Sequence, residues 1–144
     1  MIDRDILLSK ADAIRRALHR IRDVTGLNPE SLHNIDKQDI FVLNLQRAIQ
    51  SAIDLSGHVV ASGGLGLPDS IKGHFRLMET AKIIDADLSQ RMQAMAGFRN
   101  IAIHEYQALD IAILKSILSR HLKDLEDFYS MVLRHFEIAE DSGT

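Results

Sequence analysis

The sequence predicts an all-α protein, folded as a single up-and-down bundle of four or five antiparallel helices. Its 144 residues suit one domain with one core. Hydrophobic residues make up 46% of the chain, whereas 8 glycines, 2 prolines and 5% aromatic residues are too few for the turns and strands of a sandwich or barrel. We assign residues 1–137 to the bundle and residues 138–144, which are acidic and carry no basic residue, to a flexible tail.

The first helix is predicted from Asp3 to about Asp23. Its apolar positions recur at intervals typical of an amphipathic helix: Ile6, Ala13, Ile14, Ala17, Leu18 and Ile21. Gly26 favours a helix end and Pro29 cannot continue a helix. The residues that follow, to about Asn34, are therefore predicted to form a loop.

A second helix is predicted from near Asp36 to about Val59. Its core face consists of Phe41, Leu45, Ala48, Ile49, Ala52, Ile53 and Ser56. Residues 62–68 then hold three of the eight glycines and one of the two prolines. This composition predicts the one strongly flexible connection of the bundle.

Three further helices complete the predicted bundle. Ser70 is a natural N-cap for the third helix. The apolar pattern breaks at residues 84–87, where Asp85 or Asp87 caps a fourth helix. Asp110 caps a long last helix. The apolar stripes of these helices are Ile71, Phe75, Met78 and Ala81; Leu88, Met92, Met95, Phe98 and Ala102; and Ile111, Leu114, Leu118, Leu122, Leu125, Phe128 or Tyr129, Val132 and Phe136.

Charge and missing residue types exclude several functions. The net charge of −3 argues against a globally basic nucleic-acid-binding surface, so any such site must be local. The absence of cysteine excludes thiol catalysis and Cys-ligated zinc or iron–sulfur sites, and the sequence has neither a P-loop nor a GxGxxG motif, so we expect no cofactor. The longest apolar runs are about four residues, and the sequence therefore predicts a soluble, cytoplasmic protein without a membrane span.

The densest polar cluster follows Phe98 and contains Arg99, Asn100, His104 and Tyr106. On an unbroken helix Asn100 and His104 share a stripe, but Arg99 lies about 140° around the axis from His104 and roughly 7.5 Å below it. Arg99 and His104 can converge only if the helix ends near His104 or if two chains meet there. The alternative is a surface arginine beside a histidine that caps the last carbonyls of the helix.

The run Arg99-Asn100-x-x-x-His104-x-Tyr106 resembles the Arg-polar-x3-His-x-Tyr signature of HepT-type toxins, which belong to the HEPN family of helical nucleotide-binding and ribonuclease domains. Residues 95–98 and Glu105-Tyr106 resemble that family around the motif. Residues 52–58 and 122–128 resemble its second and last helices. The resemblance covers nearly the whole chain and implies a HEPN-like bundle.

The resemblance also implies an activity, metal-independent RNA cleavage by a toxin of a type II or VII-like toxin–antitoxin pair. The ribose 2′-OH attacks its own phosphate and leaves a 2′,3′-cyclic phosphate and a 5′-OH. His104 suits the proton acceptor, and Arg99 suits the fixed cation that stabilises charge on the phosphoryl oxygens. Asn100 orients the imidazole or bonds a phosphate oxygen. No metal ligand is expected.

The partners expected from the family are a second copy of the chain, an RNA and an antitoxin. A twofold homodimer would place two copies of Arg99 and His104 in one cleft, so that a negative protein acquires a local positive site. Messenger or transfer RNA would bind there. The cognate antitoxin, an MNT-type minimal nucleotidyltransferase, would attach AMP to Tyr106.

Other clusters leave alternatives open. Arg15, Arg16 and Arg20 lie in the most basic stretch and either follow an RNA phosphate backbone or form a solvated outer face. Asp54 and His58 suit a carboxylate–imidazole pair or two metal ligands, and a structural hydrogen bond is the favoured interpretation.

Two other functions suit the same bundle. One is a catalytically inactive HEPN module that binds substrate or nucleotide for a partner nucleotidyltransferase. The other is a plain protein-interaction bundle. Only the ribonuclease requires Arg99 and His104 together.

Overall fold

The computed structural model describes residues 2–104 and 110–139, with Ile103 and His104 as backbone alone. Its elements are α1 (Arg4–Thr25), a 3-10 turn (Pro29–His33), α2 (Ile35–Ser62), α3 (Ile71–Thr80), α4 (Ala86–His104), α5 (Ile111–Ser116), a π-helical turn (Ile117–His121) and α6 (Leu122–His135). Every regular element in this part of the chain is helical, which confirms the predicted all-α class. None of the described helices is long and apolar enough to cross a membrane.

Local side-chain caps explain where α1 begins and ends. The carboxylate of Asp3 accepts hydrogen bonds from the backbone N–H groups of Asp5 and Ile6, at 3.0 and 3.3 Å, which otherwise lack partners inside the helix. Gly26 ends the helix with a φ of 60°, a left-handed conformation that glycine adopts at little cost.

The predicted loop after α1 contains a short 3-10 turn. Asn28 caps this turn by accepting from the N–H of Glu30 at 3.1 Å, and Pro29 occupies its first position, where no N–H is needed. Leu32 is fully buried there. The sequence rule that treats Pro29 as a helix breaker missed this turn, because proline also favours the start of a helical turn.

Asparagine and aspartate side chains start the next helices. Asn34 caps α2 through the N–H of Lys37, so α2 begins slightly before the predicted start near Asp36. Of the two acids predicted to cap α4, Asp85 does so, because its carboxylate accepts from the N–H of Leu88 at 2.8 Å. The predicted caps Ser70 and Asp110 are confirmed by hydrogen bonds to backbone N–H groups of α3 and α5.

The core lies between α1, α2, α4 and α6, since α1 and α4 each contact both α2 and α6. Phe75 of α3 and Phe128 of α6 meet edge to face there, with ring centroids 5.5 Å apart. Ile6, the first of the recurring apolar positions, is 38% exposed, and its neighbour Leu7 is buried instead. The buried stripe of α1 starts at Leu7 and continues through Ala11, Ile14, Leu18 and Ile21.

The predicted last helix is one helical rod with a change of hydrogen-bonding pattern inside it. Helical backbone continues from α5 through the π-helical turn into α6. Lys115 of α5 pairs with Glu30 at 3.3 Å, which places α5 against the 3-10 turn between α1 and α2. Beyond α6, Ile138 is still buried, and residues 140–144 of the predicted tail lie outside the described residues.

Candidate functional site

The predicted site lies on the last two turns of α4. Arg99 is partly buried and Asn100 is exposed. Because α4 is unbroken to His104, Asn100 and His104 share a stripe and Arg99 lies about 140° away, as the spacing predicts. The backbone is helical as far as His104, the last residue described in this part of the chain. Tyr106 lies outside the described residues, and the roles of all four side chains stay predictions.

A lysine that the sequence analysis missed reaches the same face of α4. Gly97, Asn100 and His104 lie at positions i, i+3 and i+7 of one helical stripe. The Nζ atom of Lys72, on α3, lies 3.6 Å from the position that a Cβ atom on Gly97 would occupy. No local pattern indicates Lys72, because only the packing of α3 on α4 brings it to this stripe.

The large apolar side chains around the site divide into buried ones and half-exposed ones. Phe98 is only 8% exposed and Ala102 only 1%, so both face the core. Ile101 on α4 and Ile113 on α5 are each 50% exposed. These two isoleucines are therefore the large apolar side chains that α4 and α5 present to solvent within the described residues.

A second arginine of α4, Arg91, is held by carboxylates. It pairs with Asp87 at 3.0 Å, Asp124 at 2.7 Å and Asp127 at 3.3 Å. The hydrogen bond to Asp124 is the main reason why the pKa of Arg91 is raised above its usual value. His121 Nδ1 also lies 3.2 Å from the same buried Asp124. Arg91 is thus committed to a structural network.

That network borders a small cavity between α4 and the π-helical turn. The cavity has a volume of about 230 Å³. Its lining is mainly apolar and includes Met95, Phe98 and Ile117, with Arg91 and His121 at one end.

The three basic residues of α1 that we predicted to contact RNA divide into two groups. Arg15 packs over the ring of Tyr129, with its guanidinium carbon 5.4 Å from the ring centroid. Arg16 and Arg20 instead line a groove of about 730 Å³ between α1 and α2, together with Arg47 of α2. The sequence analysis did not single out Arg47, because it lies alone on its own helix face.

Asp54 and His58 bind separate partners. Asp54 accepts hydrogen bonds from Lys10 Nζ at 3.3 Å and Gln50 Nε2 at 2.8 Å, whereas His58 Nε2 accepts from the backbone N–H of Asp3 at 3.0 Å. Among residues 2–104 and 110–139, no three or more His, Cys, Asp or Glu side chains are grouped to hold a metal ion. The carboxylate–imidazole pair is therefore not formed, and each residue instead makes structural hydrogen bonds of its own.

Comparison with known proteins extends these observations. A model of the family described as ribonuclease HepT-like matches residues 14–132. The chain is 34% identical over 128 residues to the mRNA nuclease HepT of Shewanella oneidensis, covering 89% of this chain and 96% of the relative.

Solved structures have the same fold. The tri-AMPylated Shewanella oneidensis HEPN toxin in complex with MNT antitoxin is 34% identical and superposes with a TM-score of 0.84, over 90% of this chain and 98% of that one. A crystal structure of a toxin–antitoxin with AMP-PNP contains a chain that is 33% identical, with a TM-score of 0.85 and the same coverage. The similarity therefore spans both proteins almost completely.

Proposed function

This chain belongs to the HepT-like ribonuclease family, and on that premise we propose that it is the endoribonuclease toxin of a toxin–antitoxin pair. The observation that carries the proposal is the placement of Arg99, Asn100 and His104 on the last two turns of an unbroken α4. It is supported by the alignment with a named mRNA nuclease over 96% of that nuclease.

The proposed reaction is an internal transfer within RNA. His104 takes the proton of the ribose 2′-OH, the bond from this oxygen to phosphorus forms, and the bond from phosphorus to the 5′-oxygen breaks. The departing oxygen takes up a proton and becomes a 5′-OH, which leaves a 2′,3′-cyclic phosphate. Arg99 stabilises the charge that grows on the phosphoryl oxygens, and Asn100 orients the imidazole or the phosphate. The imidazole and the guanidinium supply the base and the positive charge, so the reaction needs no metal.

A homodimer would complete the cleft. A twofold contact across the end of α4 brings together two copies of every residue that it includes. Lys72, which packs against Gly97 on the stripe of His104, would add a cation on each side. The cleft would then attract messenger or transfer RNA, although the chain carries a net charge of −3.

The test is cleavage of RNA in excess EDTA, with identification of the new ends. We expect cyclic phosphate and 5′-OH ends from the wild type. Arg99→Ala or His104→Ala should each reduce the rate by about 10²-fold or more. Arg76→Ala, which removes an exposed arginine from α3, is the charge-matched control and should cleave normally. Near wild-type cleavage by His104→Ala would contradict the mechanism, and no cleavage by the wild type would favour a catalytically inactive HEPN module.

We further propose that an MNT-type nucleotidyltransferase silences the toxin by attaching AMP to Tyr106. The adduct brings a negative charge and a base next to Arg99, where it would compete with RNA phosphate. A HEPN toxin of 34% identity is tri-AMPylated in complex with MNT antitoxin, which supports the proposal. Tyr129 is the only other tyrosine and is 7% exposed, so it is a poor target.

Co-expression with an MNT-type nucleotidyltransferase tests this control. Mass spectrometry should find one or more AMP units, all on the peptide that contains Tyr106, in a protein inactive on RNA. Tyr106→Phe should cleave RNA and escape silencing, whereas Tyr129→Phe should be silenced like the wild type. An unmodified Tyr106 peptide, or silencing of Tyr106→Phe, would instead indicate an antitoxin that acts by tight binding.

A further inference from the structure

The groove between α1 and α2 combines a basic rim with a small-residue wall. Arg16 and Arg20 of α1 and Arg47 of α2 line the groove. Ala13 and Ala17 form the α1 wall between them. Its volume is about 730 Å³.

Two of the three arginines form no ion pair with the residues that the structure describes. Arg16 forms an ion pair with Asp12 one turn earlier in α1. Arg20 and Arg47 are exposed and form no ion pair with any residue of 2–104 or 110–139. Arg16 and Arg20 are four positions apart, so their stems leave α1 about 6 Å from each other along the helix. The groove therefore presents a short track of positive charge on an acidic protein.

One end of the groove is directed towards the 3-10 turn that joins α1 and α2. Arg20 on α1 and Ile40 on α2 are the lining residues nearest to this turn along the chain. The pair between Lys115 and Glu30 packs α5 against that same turn. The connection from His104 to Asp110 keeps the end of α4 within about 20 Å of α5.

We propose that this groove binds phosphates of the RNA that lie beyond the cleaved linkage. The inference rests on the proposed ribonuclease function and adds a second binding region to it. A guanidinium presents a planar fork that matches phosphate oxygens, and each phosphate neutralised releases counterions that favour binding. No aromatic residue lines the groove, so it offers no ring on which a base could stack, and we expect the interaction to be independent of RNA sequence.

An acidic segment of a partner protein is the alternative occupant. A helical partner needs apolar pockets for the stripe that it buries. The apolar lining consists of two small residues on α1, Ala13 and Ala17, and of Ile40 and the 47% exposed Leu43 on α2. Three arginines also line the groove, and this positive charge favours a phosphate backbone.

The experiment measures binding of RNA by His104→Ala protein, which keeps the RNA intact. The test variant adds Arg20→Gln and Arg47→Gln, and the control adds Arg4→Gln and Arg76→Gln, two exposed arginines of α1 and α3 outside the groove. For an RNA of about 20 nucleotides, the test variant should weaken binding about tenfold. The slope of log K against log salt should become shallower by about 1.4, because each phosphate of single-stranded RNA that a cation neutralises adds about 0.7 to its magnitude.

Three comparisons separate this proposal from its rivals. The loss of RNA affinity in the test variant should be equal for RNAs of different sequence. The control variant should show no such loss, and neither should binding of a trinucleotide that is too short to reach the groove. Unchanged RNA affinity and salt slope in the test variant would overturn the proposal. Unchanged RNA affinity with impaired antitoxin binding would assign the groove to a protein partner instead. Cleavage of the trinucleotide by protein with His104 intact tests the proposed function separately, so the two can fail independently.

Discussion

Asp124 is a carboxylate almost removed from water, with a side chain 7% exposed, and Arg91 is its main cationic partner. Arg91→Met keeps much of the aliphatic stem but leaves this carboxylate without the guanidinium. We expect the free energy of unfolding to fall by about 2–4 kcal/mol, because an uncompensated buried charge is costly. Urea denaturation followed by circular dichroism would measure the change.

The control for this prediction is Arg16→Met, which breaks the exposed pair with Asp12 and should cost about 0.5 kcal/mol or less. The double variant Arg91→Met/Asp124→Leu should recover most of the stability, because it removes the buried carboxylate together with its cationic partner. A decrease below about 0.5 kcal/mol for Arg91→Met would show that His121 alone compensates Asp124.

Some residues of the candidate sites can be identified from the sequence and others cannot. Arg99, Asn100 and His104 could be singled out because their residue types and helical spacing lie within one short segment. Lys72 and Arg47 could not, because their neighbours come from other helices and depend on how those helices pack. The residue pattern along one helix does not predict contacts between helices.

The N-terminus of α4 allows a direct comparison of two neighbouring acids. Asp85 accepts a hydrogen bond from the N–H of Leu88, whereas Asp87 lies in the first turn and pairs with Arg91. Asp85→Ala should cost about 1 kcal/mol of unfolding free energy because it leaves an N–H unpaired. Asp87→Ala should cost about 0.5 kcal/mol or less, since its side chain is 81% exposed. Equal decreases in thermal stability would contradict the assignment of the cap.

Glycines inside two helices should respond differently to alanine. A Cβ atom on Gly97 would make ordinary contact with Lys72, so Gly97→Ala should stabilise the protein by about 0.5–1 kcal/mol. On Gly73 a Cβ atom would lie 3.2 Å from Asp69 Oδ1 and 3.4 Å from Ser70 Oγ, beside the cap of α3. Gly73→Ala should therefore not stabilise the protein. Comparison of the two midpoints in urea would test this, and a Gly73→Ala protein as stable as Gly97→Ala would contradict it.

The helices themselves were predictable because their caps and apolar stripes are local. Ser70 and Asp110 can be assigned from residue type and position, and both form the expected hydrogen bonds. The 3-10 turn at Pro29–His33 and the π-helical turn at Ile117–His121 were not predicted. In both turns the apolar residues repeat at nearly the spacing of an α-helix. The turns differ from an α-helix in which carbonyl oxygen accepts each N–H, and residue types do not specify that choice.

For the whole molecule, we predict a dimer in solution. Ile101 and Ile113 are each half exposed near the proposed site, and a partner would cover them. Ile101→Lys should shift the protein towards monomer in sedimentation experiments at tens of micromolar and reduce RNA cleavage. Leu67→Lys, in the connection between α2 and α3 and 99% exposed, should remain dimeric. A wild-type monomer that still cleaved RNA would contradict the shared cleft.

The π-helical turn sets how chain length and helix face are matched along the last helix. It holds one more residue than α-helical winding would need over the same distance, and this extra residue is absorbed in the turn, so α5 and α6 keep their faces towards the bundle. Deletion of one residue between Ile117 and His121 should therefore restore α-helical winding with both faces kept, whereas deletion of one residue within α6 would rotate α5 by about 100° around the axis. In this protein the turn is a place where the chain can lose a residue without changing which side of α5 faces the core.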